Sequence, residues 1–248
     1  MGNTCWGLGM IRFLFICIFS VTITHKCVGG GNLTTPACSE QERLALLRFK
    51  QSIEDEQGML SSWGVGNDCC RWERVGCDDA TGRVVSLHLR ASDSDDYFIS
   101  GDDDWPTNDI TIFCVFDRYY LASDGVNSCL AELVHLRHLD LSGNDFQGSQ
   151  IPEFVGSLKQ LRYLNLSNAG FFGKIPHQIG NLSNLKVLDL SSLGYSQYLM
   201  TDNTTWISSL SKLERLDLSG MNLSRTQNLN NLFLIILIPV KNLPVSHI

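Results

Sequence analysis

Nine cysteines and six histidines are the side chains in this sequence best equipped for chemistry. Four of the cysteines, Cys38, Cys69, Cys70 and Cys77, crowd together, and two uses compete for them: a zinc site or a disulfide framework. Zinc ligands are spaced as CxxC, whereas Cys69 and Cys70 are adjacent, which speaks against zinc. The histidines form no metal-spaced pair on a recognisable helix, and His88 and His138 fall at strand positions, where a solvated imidazole is the plain reading. Asp93, Asp95 and Asp96 begin like a calcium loop, but Tyr97 and Phe98 occupy the next ligand and glycine positions, so a solvated loop is expected instead. No G-x-S-x-G, P-loop, HExxH or kinase signature occurs. Neither catalysis nor a metal or cofactor is expected.

The cysteines gain meaning from their compartment. Residues 1–30 read as a secretory signal peptide: Arg12, then an apolar run from Phe13 to Ile23 that is too short for a permanent membrane span, then small and polar residues. Cleavage is expected between Thr24 and Gly31, which removes Cys5 and Cys17 and leaves Cys27 ambiguous. Secretion gives the remaining six, including Cys114 and Cys129, a disulfide reading. Sequons at Asn32, Asn165, Asn181, Asn203 and Asn222 fit the same route. A net charge of -7 argues against nucleic acid or an anionic membrane as partner.

The elements that would carry these residues follow from a recurring comb of leucines. Leu133, Leu136, Leu139 and Leu141 step by three, three and two, and the comb returns at Leu158, Leu182 and Leu210, that is 25, 24 and 28 residues on. This is the period of a leucine-rich repeat. The first two teeth lie on the turn into a short strand and the last two alternate along it, all facing inward. One repeat cannot bury them, but stacked coils can, at about 1.5–3 kcal/mol per inward leucine. The fold class expected is α/β: a right-handed solenoid with short parallel strands on its concave face, 3₁₀ or loop returns, and a helical cap.

That cap opens with Ser39 and Glu42, a capping-box pair before a run of helix formers ending near Gly58. Thr81-Gly82 turns between two strands, the second carrying Val85, Leu87 and Leu89 of the first coil. The order helix, L-x-S-W, Cys-Cys, W, V, Cys, T-G-x-V resembles the N-terminal cap of plant extracellular leucine-rich-repeat proteins, above all receptor-like proteins and receptor kinases. NDFQGSQIPEFVG and AGFFGKIPHQIG resemble that family's repeat, and the likeness covers roughly residues 38 to 225. The resemblance implies the bridges Cys38–Cys69 and Cys70–Cys77. It implies too that Trp63, Trp72, Leu46 and Phe49 cover the open end of the leucine core. Arg74 departs from it, standing where glycine is common.

Other departures set the domain limits: signal peptide 1–30, cap 31–83, a degenerate first repeat with an acidic insertion over 84–132, repeats 133–225, and an apolar non-repeat tail 226–248 that reads as a truncation. The post-strand asparagine is present only as Asn144, with Ala169, Leu193 and Met221 in its place elsewhere, so a less regular convex side is expected. A Cys114–Cys129 bridge would tie the base of the acidic insertion, 91–125, to the repeat.

Three columns face the concave side. Asp140, Asn165, Asp189 and Asp217, with Ser142, Ser167, Ser191 and Ser219, read as scaffold, whereas the varied column His138, Tyr163, Val187 and Arg215 is the candidate contact surface. The resemblance implies a cell-surface recognition module for a peptide or protein ligand, relayed through a partner receptor kinase. A secreted inhibitor of cell-wall-degrading enzymes, resembling polygalacturonase-inhibiting proteins, is the alternative; a fragment without independent function is a third.

Overall fold

In a computed structural model, which describes residues 37–93, 118–193 and 199–222, the first element is α1, Glu40–Gln51. Every described residue belongs to one compact unit. The expected signal peptide, Cys27, Asn32, Cys114 and the tail 226–248 lie outside the described residues.

Helix α1 starts where its capping box dictates: the Glu42 amide donates to Ser39 Oγ, and the Glu42 carboxylate accepts the Ser39 amide. The helix stops at Gln51, before the expected Gly58, because the Ser52 amide turns back to Phe49 and Lys50 and Asp55 then captures the amides of Met59 and Leu60. Its buried face carries Ala45, Leu46 and Phe49. Phe49 meets Trp63 at 6.3 Å, and Trp63 stacks on Trp72 at 5.9 Å. Both indoles are buried with their N–H groups satisfied, by the carbonyls of Glu73 and Val65. Cys38 is bonded to Cys69 and Cys70 to Cys77, so none of the four offers a thiolate to zinc.

The remaining strands are β1 (Val75–Cys77), β2 (Val84–His88), β3 (Ser92–Asp93), β4 (Arg118–Tyr119), β5 (His138–Asp140), β6 (Tyr163–Asn165), β7 (Gly173–Lys174), β8 (Val187–Asp189), β9 (Leu199–Met200) and β10 (Arg215–Asp217). The main sheet runs β1-β2-β5-β6-β8-β10, antiparallel between β1 and β2 and parallel from β2 onward. Period 2 places Leu139, Leu164 and Leu188 on the inner face in register, each no more than 1% exposed. In β2 the inward set is Val84, Leu87 and Leu89 rather than Val85, Leu87 and Leu89. Val84 takes the place of the second leucine tooth, three residues before the next, and Val85 turns outward.

Each parallel strand after β2 is preceded by a short helical return: 3₁₀ turns at Ser128–Glu132, Glu153–Ser157 and His177–Asn181, and α2 at Thr205–Ser208. Pro152 and Pro176 stand at the N-caps of the second and third, where their missing N–H costs nothing. A Cβ on Gly156 would collide with the Gln178 backbone, so glycine there lets adjacent returns close up. One apolar cluster runs from Cys38 through the coils to Leu210. Leu213, Leu216 and Leu218, in the last described coil, are only partly buried against it.

The acidic insertion differs from the expected solvated loop at its exit. Strands β3 and β4 pair as an antiparallel stem, and the chain then re-enters the core at Leu121, which is fully buried. Ala122 exchanges backbone hydrogen bonds with Glu54 of the cap, and the Leu121 carbonyl accepts the Asp145 amide. The Asn144 side chain closes this joint, accepting from the Leu121 amide and donating to the carbonyls of Leu89 and Leu141. Where Ala169 replaces the next asparagine, Asn168 stands in from one position earlier: its Oδ1 accepts the Leu193 amide of the following coil at 2.8 Å.

Candidate functional site

The outer face of the parallel sheet gathers the varied column. His138, Tyr163, Val187 and Arg215 are successive partners in register across β5, β6, β8 and β10. Strands about 4.8 Å apart hold these side chains in a row. Two of them form a stack: His138 lies over Tyr163 at 4.1 Å with the planes 8° apart. His88 joins from β2, its ring 4.4 Å from that of His138. His88 pairs in register with Asp140, so its ring reaches His138 diagonally. His138 is thus half-buried in a stack, whereas His88 remains exposed, as expected. Burial and the neighbouring His88 hold the His138 pKa below the usual imidazole value, with Asp140 offsetting in part.

The next column along each strand is scaffold. Asp140 Oδ1 accepts the Ser142 amide and hydroxyl, and Asp189 does the same for Ser191. Asn165 and Asp217 accept the amides of Ser167 and Ser219. These side-chain caps end each strand and start the outward turn. Asn165 is also 8% exposed, and its amide nitrogen donates to the Tyr163 hydroxyl at 3.3 Å. That sequon thus lies within the sheet, whereas Asn181, Asn203 and Asn222 are exposed. At Asn203 the side-chain oxygen accepts both the amide and the hydroxyl of Thr205.

A fourth row, which sequence reasoning passed over, precedes the varied column: Arg137, Arg162, Lys186 and Glu214. The coil-to-coil backbone bonds from Arg162 to Arg137, Lys186 to Arg162 and Glu214 to Lys186 align it. Its signal in the sequence is the residue after the second tooth of each comb. Arg137 pairs with Asp78 of the cap at 3.5 Å, and Lys186 with Glu214 at 2.6 Å. Arg162 is exposed and has no side-chain partner among the described residues.

Away from the sheet, Arg74 accepts the left-handed backbone that glycine would favour, with φ of 67°, and its guanidinium donates to the carbonyls of His88 and Arg90. Cys129 is buried beside a cavity of about 390 Å³ shared with Arg48 and Glu132, and burial raises its thiol pKa. Its proposed partner, Cys114, lies outside the described residues. No helix among them is long and apolar enough to cross a membrane.

Comparison with known proteins places this geometry. A model described as "Leucine rich repeat N-terminal domain" matches residues 39–78, and one described as "Leucine-rich repeat region" matches residues 120–243, half of the chain. Receptor-like protein EIX1 of Solanum lycopersicum is 38% identical over 86% of this chain, and receptor-like protein EIX2 of the same plant is 39% identical over 65%. The chain spans 19% and 14% of those two relatives. Among solved structures, a chain of the BIR3–SERK2 complex of Arabidopsis thaliana is 28% identical with a TM-score of 0.54, over 73% of this chain and 82% of that one.

Proposed function

Because this chain belongs to the plant leucine-rich-repeat proteins of the receptor-like kind, we propose that it is a non-catalytic recognition module. It acts on the extracellular side of the cell surface, reached through the secretory pathway. The concave face receives a peptide or protein ligand, and a partner receptor kinase relays the event. One observation carries this reading: the side chains most free to vary are aligned in register on a face whose other column is consumed in capping the strands. A rigid sheet presenting a row of aromatic, apolar and basic groups, backed by a buried leucine layer, is preorganised for contact and loses little freedom on binding.

Four parallel strands after β2 cover about 15 Å between outermost members, less than a standard interface needs, so neighbouring coils of a longer ectodomain complete the surface. Binding of the secreted chain to plant cell-surface ectodomains and to a peptide array, read by surface plasmon resonance, tests the proposal. Tyr163→Ser with Arg215→Glu should abolish the response while leaving the melting temperature within a few degrees. A response that survives this pair and falls instead with changes on the return side, such as His177→Ala, would place recognition elsewhere.

A further inference from the structure

Resting on the secretory route proposed above, we infer that Asn203 carries an N-linked glycan whose first N-acetylhexosamine sits in the adjoining cavity and bridges three coils. The cavity, about 330 Å³, lies beside the helical returns, where Ile151, Ile175 and Trp206 line it, each from a different coil. All three are largely buried and supply its apolar wall. The rest of the lining is polar: Lys174 pairs with Asp202 of the next coil, and Asn203 follows Asp202 directly. The volume is at the low end of small-molecule clefts, which run from about 300 to 1,000 Å³, and suits one sugar ring with its acetamido group rather than a chain of sugars.

Asn203 is the sequon prepared for this seat. Its side-chain oxygen accepts the amide and the hydroxyl of Thr205, and its carbonyl accepts the Thr201 hydroxyl, while its amide nitrogen makes no hydrogen bond among the described residues. On modification that nitrogen loses a proton and bonds the anomeric carbon of a sugar, as the bond from that carbon to the diphosphate of a lipid-linked donor breaks. Asn165 offers the contrast: it is 8% exposed, and its nitrogen already donates to the Tyr163 hydroxyl. Asn181 and Asn222 are exposed but do not line this cavity. The lining also holds an unmet acceptor, since Gln178 Oε1 is buried without a hydrogen-bond partner among the described residues, which is unfavourable. The acetamido N–H or a sugar hydroxyl supplies a donor there. A free ligand could offer the same groups, but a sugar tethered at Asn203 arrives at the high effective concentration that so small a cavity needs.

The test uses the full chain secreted from cells that build only high-mannose glycans. Glycopeptide mass spectrometry should find Asn203 occupied, and peptide-N-glycosidase should release that glycan from the folded chain about tenfold more slowly than from the denatured chain, beyond any slowing at Asn181. Thr205→Ala, which removes the sequon at an exposed side chain, should lower the melting temperature by about 2–4 °C. Thr205→Ser should restore it, and trimming every glycan to its first sugar should leave it unchanged. Ser183→Ala, which removes the Asn181 sequon, should also leave it unchanged. An equal drop for Thr205→Ala in chains stripped of all sugar assigns the effect to the lost hydroxyl and overturns the seat, as does unhindered release from the folded chain. Glycans at Asn181 or Asn222 but none at Asn203 overturn the inference and leave the secretory reading standing. No glycan at any sequon overturns both.

Discussion

The cap and the coils bury their apolar side chains by opposite means. The cap, up to about residue 90, has no internal period, so each of its parts is held individually: two disulfides, a capping box, two satisfied indoles and a left-handed Arg74. The coils from Leu133 onward contain no disulfide among the described residues and repeat one solution, with inward leucines at 0–4% exposure from Leu133 to Leu210. Translation explains the difference. A coil meets a copy of itself on each side, so one pattern satisfies both interfaces, whereas a terminal unit faces water on one side and must be stabilised by bonds that do not depend on a neighbour. Covalent closure does this because it acts by restricting the unfolded chain.

Breaking the coil side of this comparison should have the largest effect. Leu164 is fully buried in the central coil with leucines on either side, and Leu164→Ala should cost about 3–5 kcal/mol, measured by chemical denaturation.

Next in size is the cap side. Cys38→Ser with Cys69→Ser opens a link of sequence separation 31, for which loop entropy gives about 3–4 kcal/mol at most. Hydrogen exchange sharpens the contrast: amides of residues 37–77 should lose protection first, while those of β6 and β8 keep theirs. Equal loss throughout would mean that cap and coils form one cooperative unit.

The smallest effect concerns the joint between the regions, where the ring of His88 in β2 lies 4.4 Å from that of His138. The folded chain holds His138 below the ordinary imidazole pKa of about 6.5, so the folded state prefers the neutral ring. Protons are then taken up more readily by the unfolded chain. Stability should fall as pH drops below about 6.5, the loss becoming complete below the depressed folded pKa. His138→Asn should flatten the change in denaturation midpoint between about pH 7 and pH 5.

Several elements could be read directly from residue order. The comb at 133, 158, 182 and 210 announced stacked coils because its spacing suits no single helix or strand. The capping box, the proline-led returns and the varied concave column followed from local stereochemistry that operates in any context. Helix α1 ends earlier than its glycine suggested, because Asp55 captures amides from beyond the helix. Val84 rather than Val85 points inward because the second and third teeth of each comb are three residues apart, a step that strict alternation along one strand does not describe.

What the sequence alone determined, then, is the repeat, the inward teeth and the kind of cap, since these depend on periodicity and on turns within a few residues. What only the tertiary structure decided is everything that joins distant coils. The re-entry at Leu121, Asn168 serving in place of the missing asparagine, the imidazole–phenol stack and the unpaired Arg162 each depend on which residues the superhelix brings side by side. Such neighbours lie a whole coil apart along the chain, beyond the few residues over which a local pattern acts.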